Sequence, residues 1–163
     1  MANNANSSLH NDINLRDNSL LIGKYIYYFL SNDANILSLV DKDNIFPLLA
    51  NIKLDGQGNP TDVTFPFITF ERTSVRPIYS KILDVTDNEI EVTISCVTPD
   101  YDESIDIINA VRDCFESKHY QDEVLSISNI RVDNVSEDYD LSTFMQTITF
   151  KMNVSSIKKS TIT

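Results

Sequence analysis

The side chains that could perform catalysis are few, and their spacing favours structural roles. The chain contains two histidines, His10 and His119, and two cysteines, Cys96 and Cys114. General acid–base catalysis, nucleophilic catalysis and zinc binding all require such groups close together. The cysteines have no histidine pair nearby, so they do not form a zinc site. A phosphate-binding Gly-x-Gly loop is followed by a helix, and the Gly-x-Gly in segment 55–60 is not. The sequence therefore predicts a protein that is not an enzyme and that uses no metal or cofactor.

Paired carboxylates occur in two places, and each has a structural explanation. Asp100 and Asp102 lie at the start of a predicted helix, where negative charge stabilises the positive helix end. Asp138 and Asp140 lie in the run 136–140, which is predicted to be an acidic turn. That run lacks the twelve-residue pattern and central glycine of a calcium-binding loop. We expect capping and solubility from these acids, and no catalysis.

The composition limits the class of partner. Apolar residues make up 42% of the 163 residues, enough for one domain with a core. The 13 Lys and Arg against 24 Asp and Glu give a net charge of −11. Binding to duplex DNA or to anionic lipid requires a surplus of cations. The sequence therefore predicts neither specific nucleic-acid binding nor membrane association, and no stretch is apolar enough to cross a membrane.

Two segments have helical periodicity. In segment 17–30 the apolar residues recur at spacings of three and four, which predicts a helix with one buried face. A second helix is predicted to run to about residue 117, with Thr98 as its N-cap and Pro99 in its first turn. The predicted buried stripe of this helix is Tyr101, Ile105, Ile108, Val111 and Phe115.

Strands are predicted between and after these helices. Segment 89–97 alternates strictly between apolar and polar residues, which is typical of a strand with one buried face. Strands are also predicted at 124–135, at 143–154 and at 65–75, where both faces begin apolar and become polar. A short edge strand is expected near Pro47. Segment 76–88 is predicted to form a long hairpin arm with Asp87 and Asn88 as its turn.

This order of elements predicts an α+β fold. We expect a two-layer sandwich, in which a mainly antiparallel sheet carries two helices packed on one face. The asparagine-rich residues 1–14 are predicted to be a flexible N-terminal arm, residues 15–156 a single domain, and residues 157–163 a short C-terminal tail.

The polar faces of two predicted strands allow two interpretations. They comprise Glu89, Glu91, Thr93 and Ser95 on one strand and Thr147, Thr149 and Lys151 on the other. Such a face is either solvated or a polar interface between subunits. The pattern alone leaves both interpretations open.

Several short segments, taken in order, resemble one known family. They are 65–70, 89–95, 100–102, 111–113, 130–132, Tyr139 and 146–150. Together with the order of the predicted elements over roughly residues 17–154, they resemble the tail terminator, or tail completion, proteins that join head and tail in tailed bacteriophages. The long arm before Asp17 and the long polar segment 42–64 depart from that family.

The resemblance implies a structural virion protein without an active site. Such a protein forms a homo-oligomeric ring, a hexamer or a dodecamer, at the top of the tail or at the head–tail junction. It would contact other neck, tail or portal-associated proteins and leave a channel through which DNA passes. It would be located in the virion after assembly in the host cytoplasm. The alternative is a small, non-enzymatic α+β module that binds a ligand or regulates a partner.

The hairpin arm is the first candidate for a contact between subunits. Its candidate contact residues are Arg76, Tyr79 and Lys81, together with Arg72 in the strand that leads into it. A ring closes when one surface patch repeatedly meets a different patch on the next copy. We expect these residues to meet an acidic surface of the neighbouring subunit.

Overall fold

Two long hairpins form the body of the sheet. The computed structural model describes residues 18–50, 53–57, 60–62, 64–79 and 85–157. The first hairpin consists of β4 (Phe67–Tyr79) and β5 (Val85–Thr98), and the second of β7 (Leu125–Asp140) and β8 (Thr143–Ser156). The hairpins join through antiparallel pairing of β5 with β8.

Short strands complete the sheet. The edge strands are β1 (Ile45–Pro47), which runs parallel to β4, and β6 (Tyr120–Gln121), which runs antiparallel to β7. The strand order is β1-β4-β5-β8-β7-β6, so the six-stranded sheet is mixed. A separate pair is formed by β2 (Lys53–Leu54) and β3 (Pro60–Thr61).

Three α-helices and two short 3₁₀ segments accompany the sheet in the described part of the chain. They are a 3₁₀ segment at Ser19–Leu21, α1 (Ile22–Leu30), α2 (Ala34–Leu37), a 3₁₀ segment at Lys42–Asn44 and α3 (Tyr101–Phe115). The predicted α+β class is confirmed. The sheet curls into a half-barrel and carries three helices where two were expected, and the two-layer arrangement stays a prediction.

The core follows from the period-two pattern of β5 and β8. Ile94 pairs with Ile148 and Val92 pairs with Phe150, and all four side chains are buried. Burying one face of each strand fixes the register, because a slip by one residue would expose every one of these side chains. The same core cluster includes the buried stripe of α1, Ile22, Ile26 and Leu30.

The start of α3 differs from the prediction. Asp100, and not Thr98, is the N-cap, and its carboxylate accepts a hydrogen bond from the Glu103 N–H at 2.9 Å. The Thr98 hydroxyl instead donates to the Glu103 carboxylate, so both side chains stabilise the first turn. The buried face is Ser104, Ile107, Ile108, Val111 and Phe115. The predicted stripe was wrong at Tyr101, which is exposed, whereas Ile105 is partly buried.

Two predicted turns are strand residues. Asp87 and Asn88 lie within β5, whose described pairing with β4 ends at Tyr79 and Val85; residues 80–84 lie outside the described part of the chain. The acidic run 136–140 lies within β7, and Leu141 and Ser142 form the turn with positive φ angles of 48° and 64°. The predicted arm 1–14 lies outside the described residues, as does all of the predicted tail 157–163 except Ile157.

Asp122 connects α1 to the start of β7. Its carboxylate accepts hydrogen bonds from the Val124 and Leu125 N–H groups at 2.7 and 2.9 Å and from the Tyr25 hydroxyl at 2.7 Å. These bonds, led by the one from the Leu125 N–H, lower the pKa of Asp122. Burial, reinforced by the bond to Asp122, raises the pKa of Tyr25 to about 12.

Replacing Asp122 by asparagine should therefore remove a stabilising contribution that depends on pH. A carboxyl whose pKa is lower when folded stabilises the fold above its unfolded pKa of about 3.9, and this contribution is lost as the pH falls through the folded pKa. We expect the urea midpoint of D122N to be below that of the wild type at pH 7, with the gap narrowing towards pH 3. An equal gap at both pH values would contradict this assignment.

Candidate subunit interface

The sheet face opposite the helices carries a ladder of polar side chains. The Thr93 and Thr149 hydroxyls are hydrogen bonded at 3.0 Å, and those of Ser95 and Thr147 at 2.9 Å. Each pair sits directly across the β5–β8 ladder. Cross-strand pairs of this kind stabilise a sheet, so the ladder satisfies its own hydroxyl groups.

Ion pairs continue this ladder towards the N-terminal end of β5. The Glu89 carboxylate is 2.9 Å from the Arg131 guanidinium and 3.6 Å from that of Arg76. Lys151 contacts the Glu91 carboxylate at 3.5 Å and a second carboxylate, on β7, at 2.9 Å. These groups are partly exposed, and such pairs contribute little to stability. This face therefore remains either a solvated surface or a polar interface with another subunit.

The structure separates the predicted contact residues. A β-bulge between Arg72 and Ser74 shifts the register, so that Arg72 lies opposite Val92 and Arg76 lies opposite Glu89, on different faces of the sheet. The Arg72 guanidinium donates to the carbonyl oxygen of Leu20 at 3.0 Å.

Two of the predicted residues stay together near the last described pair of the first hairpin, Tyr79 with Val85. The Arg76 side chain is 72% exposed, and Tyr79 is 59% exposed. Lys81 lies outside the described residues. We refer to Arg76–Tyr79 as the basic hairpin end.

The second hairpin ends in acidic and apolar residues at the opposite end of the sheet. Glu137, Asp138 and Asp140 are exposed, and so are Tyr139 and Leu141, the latter at 84%. Along β5, Arg76 is paired with Glu89. Glu137 is paired with Gln146, which is in turn paired with Cys96 of β5, so the acidic residues lie at the level of Cys96. Seven residues of β5 separate these levels, about 23 Å at 3.3 Å per residue. We refer to residues 137–141 as the acidic hairpin end.

An open cleft lies between the acidic hairpin end and the N-terminus of α3. It has a volume of about 310 Å³ and is lined by Tyr101, Glu137, Asp138, Tyr139, Phe144 and Gln146. The Phe144 ring packs edge-on against Tyr101, with centroids 5.2 Å apart, and lies 4.8 Å from Tyr139. The cleft is therefore walled by three aromatic rings.

One carboxylate is fixed within this aromatic wall. Glu137 Oε2 accepts hydrogen bonds from Gln146 Nε2 at 3.2 Å and from the Tyr101 hydroxyl at 3.3 Å. The charge of Glu137 raises the pKa of Tyr101, and the hydrogen bond adds to this effect. Gln146 is 3% exposed and also donates to the Ser104 hydroxyl at 3.4 Å, so it anchors the carboxylate to the core.

Sequence reasoning missed this cleft. It treated Tyr101 as core and 136–140 as a turn, although Val135, Tyr139 and Leu141 occupy alternate positions, interrupted only at Glu137. That alternation is the strand signal that would have extended β7 to its observed end.

The side chains capable of nucleophilic or metal chemistry lie apart from these surfaces. Burial raises the pKa of the Cys96 thiol, and of the half-buried Cys114 thiol, to about 12 each, so neither is a reactive thiolate. Within the described ranges no group of three or more His, Cys, Asp or Glu side chains is placed to hold a metal ion. None of the helices that the structure describes is sufficiently long and apolar to span a membrane.

These observations define a small α+β protein whose distinctive surfaces are two unlike hairpin ends at opposite ends of one mixed sheet. The same fold occurs in a chain from a solved structure described as the virion of a native gene transfer agent (GTA) particle, with a TM-score of 0.60 and 12% sequence identity. The match covers 80% of this chain and 91% of that chain. No protein-family model matches the sequence, and no curated protein is significantly similar to it.

Proposed function

We propose that this chain is a structural protein of a phage-like virion and acts by self-association, not by catalysis. The observation that carries the proposal is the shared fold, which extends over most of this chain and nearly all of a chain from a GTA virion. The proposal agrees with the resemblance of residues 17–154 to tail terminator proteins. Both relations concern virion components, although they rest on different features of the chain.

The proposed site of action is a ring at the top of the tail or at the head–tail junction. Identical copies, six or twelve, would contact one another head to tail and close around a channel. Rings of other neck, tail or portal-associated proteins would dock above and below it. The chain would therefore be assembled in the host cytoplasm and retained in the virion.

The charge of the chain fits passage of DNA through such a ring. With a net charge of −11, a channel wall that shares this acidity repels phosphate and prevents the genome from adhering. DNA would then be a molecule that passes the protein and not a specific ligand.

Size-exclusion chromatography with light scattering, followed by negative-stain electron microscopy, tests the proposal. We expect a species of six or twelve times 18.5 kDa with a central channel, formed by the chain alone or after mixing with tail tubes or filled heads. A chain that remains monomeric or dimeric in all these mixtures would contradict the proposal.

The second candidate function is a non-enzymatic ligand-binding or regulatory module. The specific observation in its favour is the aromatic cleft beside Glu137. This alternative predicts that a small cationic ligand fills the cleft of an isolated monomer. Saturable binding of such a ligand, together with the absence of any ring, would favour it over the virion role.

A further inference from the structure

The chemistry of the aromatic cleft suits a guanidinium or ammonium group. The negative faces of aromatic rings attract cations, and the attraction increases when water is excluded. Tyr101, Tyr139 and Phe144 supply three rings, and the anchored carboxylate of Glu137 supplies a full negative charge. Asp138 and Asp140 increase the negative potential around the entrance.

Arg76 is a suitable occupant provided by the chain itself. Its side chain is the most exposed among the ion-paired cations of the described residues, and its contact with Glu89 is long, at 3.6 Å. Glu89 retains a closer partner, Arg131 at 2.9 Å, if Arg76 moves away. Engaging Arg76 elsewhere therefore leaves no carboxylate unpaired.

The same copy cannot bring these two surfaces together. They lie at opposite ends of β5, and the paired strands between them hold them about 23 Å apart. Two different, complementary patches on one rigid body are what a head-to-tail contact requires. Exposed apolar side chains flank both patches, Tyr79 at the basic hairpin end and Leu141 at the acidic one.

We infer that the aromatic cleft of one copy receives Arg76 and the basic hairpin end of the next copy, forming the repeating contact between subunits. This inference rests on the proposed ring function, and it specifies the partner as a second copy of this chain. Opposite charge sets the register, while burial of Tyr79 and Leu141 removes apolar surface from water.

Cross-linking tests the contact without removing the charged pair. A chain with both Tyr79→Cys and Leu141→Cys carries one new thiol beside each patch, on the order of 40 Å apart along β5, too far for a short bis-maleimide to join within one copy. The native thiols react slowly because Cys96 is buried, Cys114 is half-buried and each has a pKa of about 12. The matched control combines Leu141→Cys with Lys24→Cys, an exposed position on α1.

We expect a ladder of covalent multimers from the first pair, forming at least tenfold faster than from the control pair. Adding Arg76→Glu should slow the ladder by tenfold or more. A ladder no faster than the control, or one insensitive to Arg76→Glu, would overturn the inference. Covalent multimers that appear as open chains under the electron microscope would support this contact and contradict a ring. Rings that form without these cross-links would support the ring and contradict this contact.

Discussion

Replacing Phe150 by alanine is expected to destabilise the domain by about 3–5 kcal/mol, a large part of the stability of a protein of this size. Phe150 is fully buried at the centre of β8, opposite Val92, and its ring lies 5.4 Å from that of Phe115 on α3. Removing the ring leaves a cavity between sheet and helix that neither rigid element can close. With a urea m-value of about 2 kcal/mol per M, the midpoint should fall by about 2 M.

Phe144→Ala is the matched control for this prediction. Phe144 is on the same strand and undergoes the same chemical change, but it is only partly buried, in the wall of the open cleft. We expect a clearly smaller loss, because water can fill the space that the ring leaves. Tyrosine fluorescence and circular dichroism follow both variants, since the chain has no tryptophan. Equal losses would mean that Phe150 does not occupy the centre of the core.

The core was predictable because it depends on local periodicity. In β5, Ile90, Val92, Ile94 and Cys96 alternate with polar residues, and this pattern alone assigns them to the buried face. Even the polar exception on β8, Gln146, is buried as its position in the alternation requires. Its hydrogen bond to Ser104 compensates for the loss of water.

The surfaces were harder to predict because they depend on contacts between distant segments. The cleft joins Tyr101 to Glu137, which are 36 positions apart, and no local pattern relates the two. The predicted contact set Arg72, Arg76, Tyr79 and Lys81 treats the arm as one surface. The bulge after Arg72 reverses the alternation and sends Arg72 to the opposite face from Arg76. One extra residue in β4 is enough to exchange the two faces. Hydrophobic periodicity does not reveal this bulge, because the residues around it are mostly polar.

The second prediction is that Arg76→Glu weakens the affinity between copies by roughly 30-fold. This is the change in dissociation constant expected when a cation is removed from a desolvated aromatic site. The expected loss is larger for the ring than for one pair, because every copy contributes this residue to an interface. The fold should lose little stability: the variant places a second carboxylate opposite Glu89, but Arg76 is 72% exposed and Glu89 keeps its pairing with Arg131. Native mass spectrometry of the assembled species, with melting temperature as the test of folding, measures both effects.

Rescue by a second charge reversal distinguishes a direct contact from a general change in charge. Glu137→Arg alone should weaken assembly, since it places a cation opposite Arg76 of the next copy, whereas R76E combined with E137R restores opposite charges and should recover most of the ring. Mixing the two single variants should likewise restore assembly, because in an alternating ring one contact joins two native patches and the next joins two patches with reversed charges. Lys24→Glu makes the same change in net charge on α1 and should leave assembly intact. If K24E weakens the ring as much as R76E, the effect is one of overall repulsion, and Arg76 has no specific partner in the cleft.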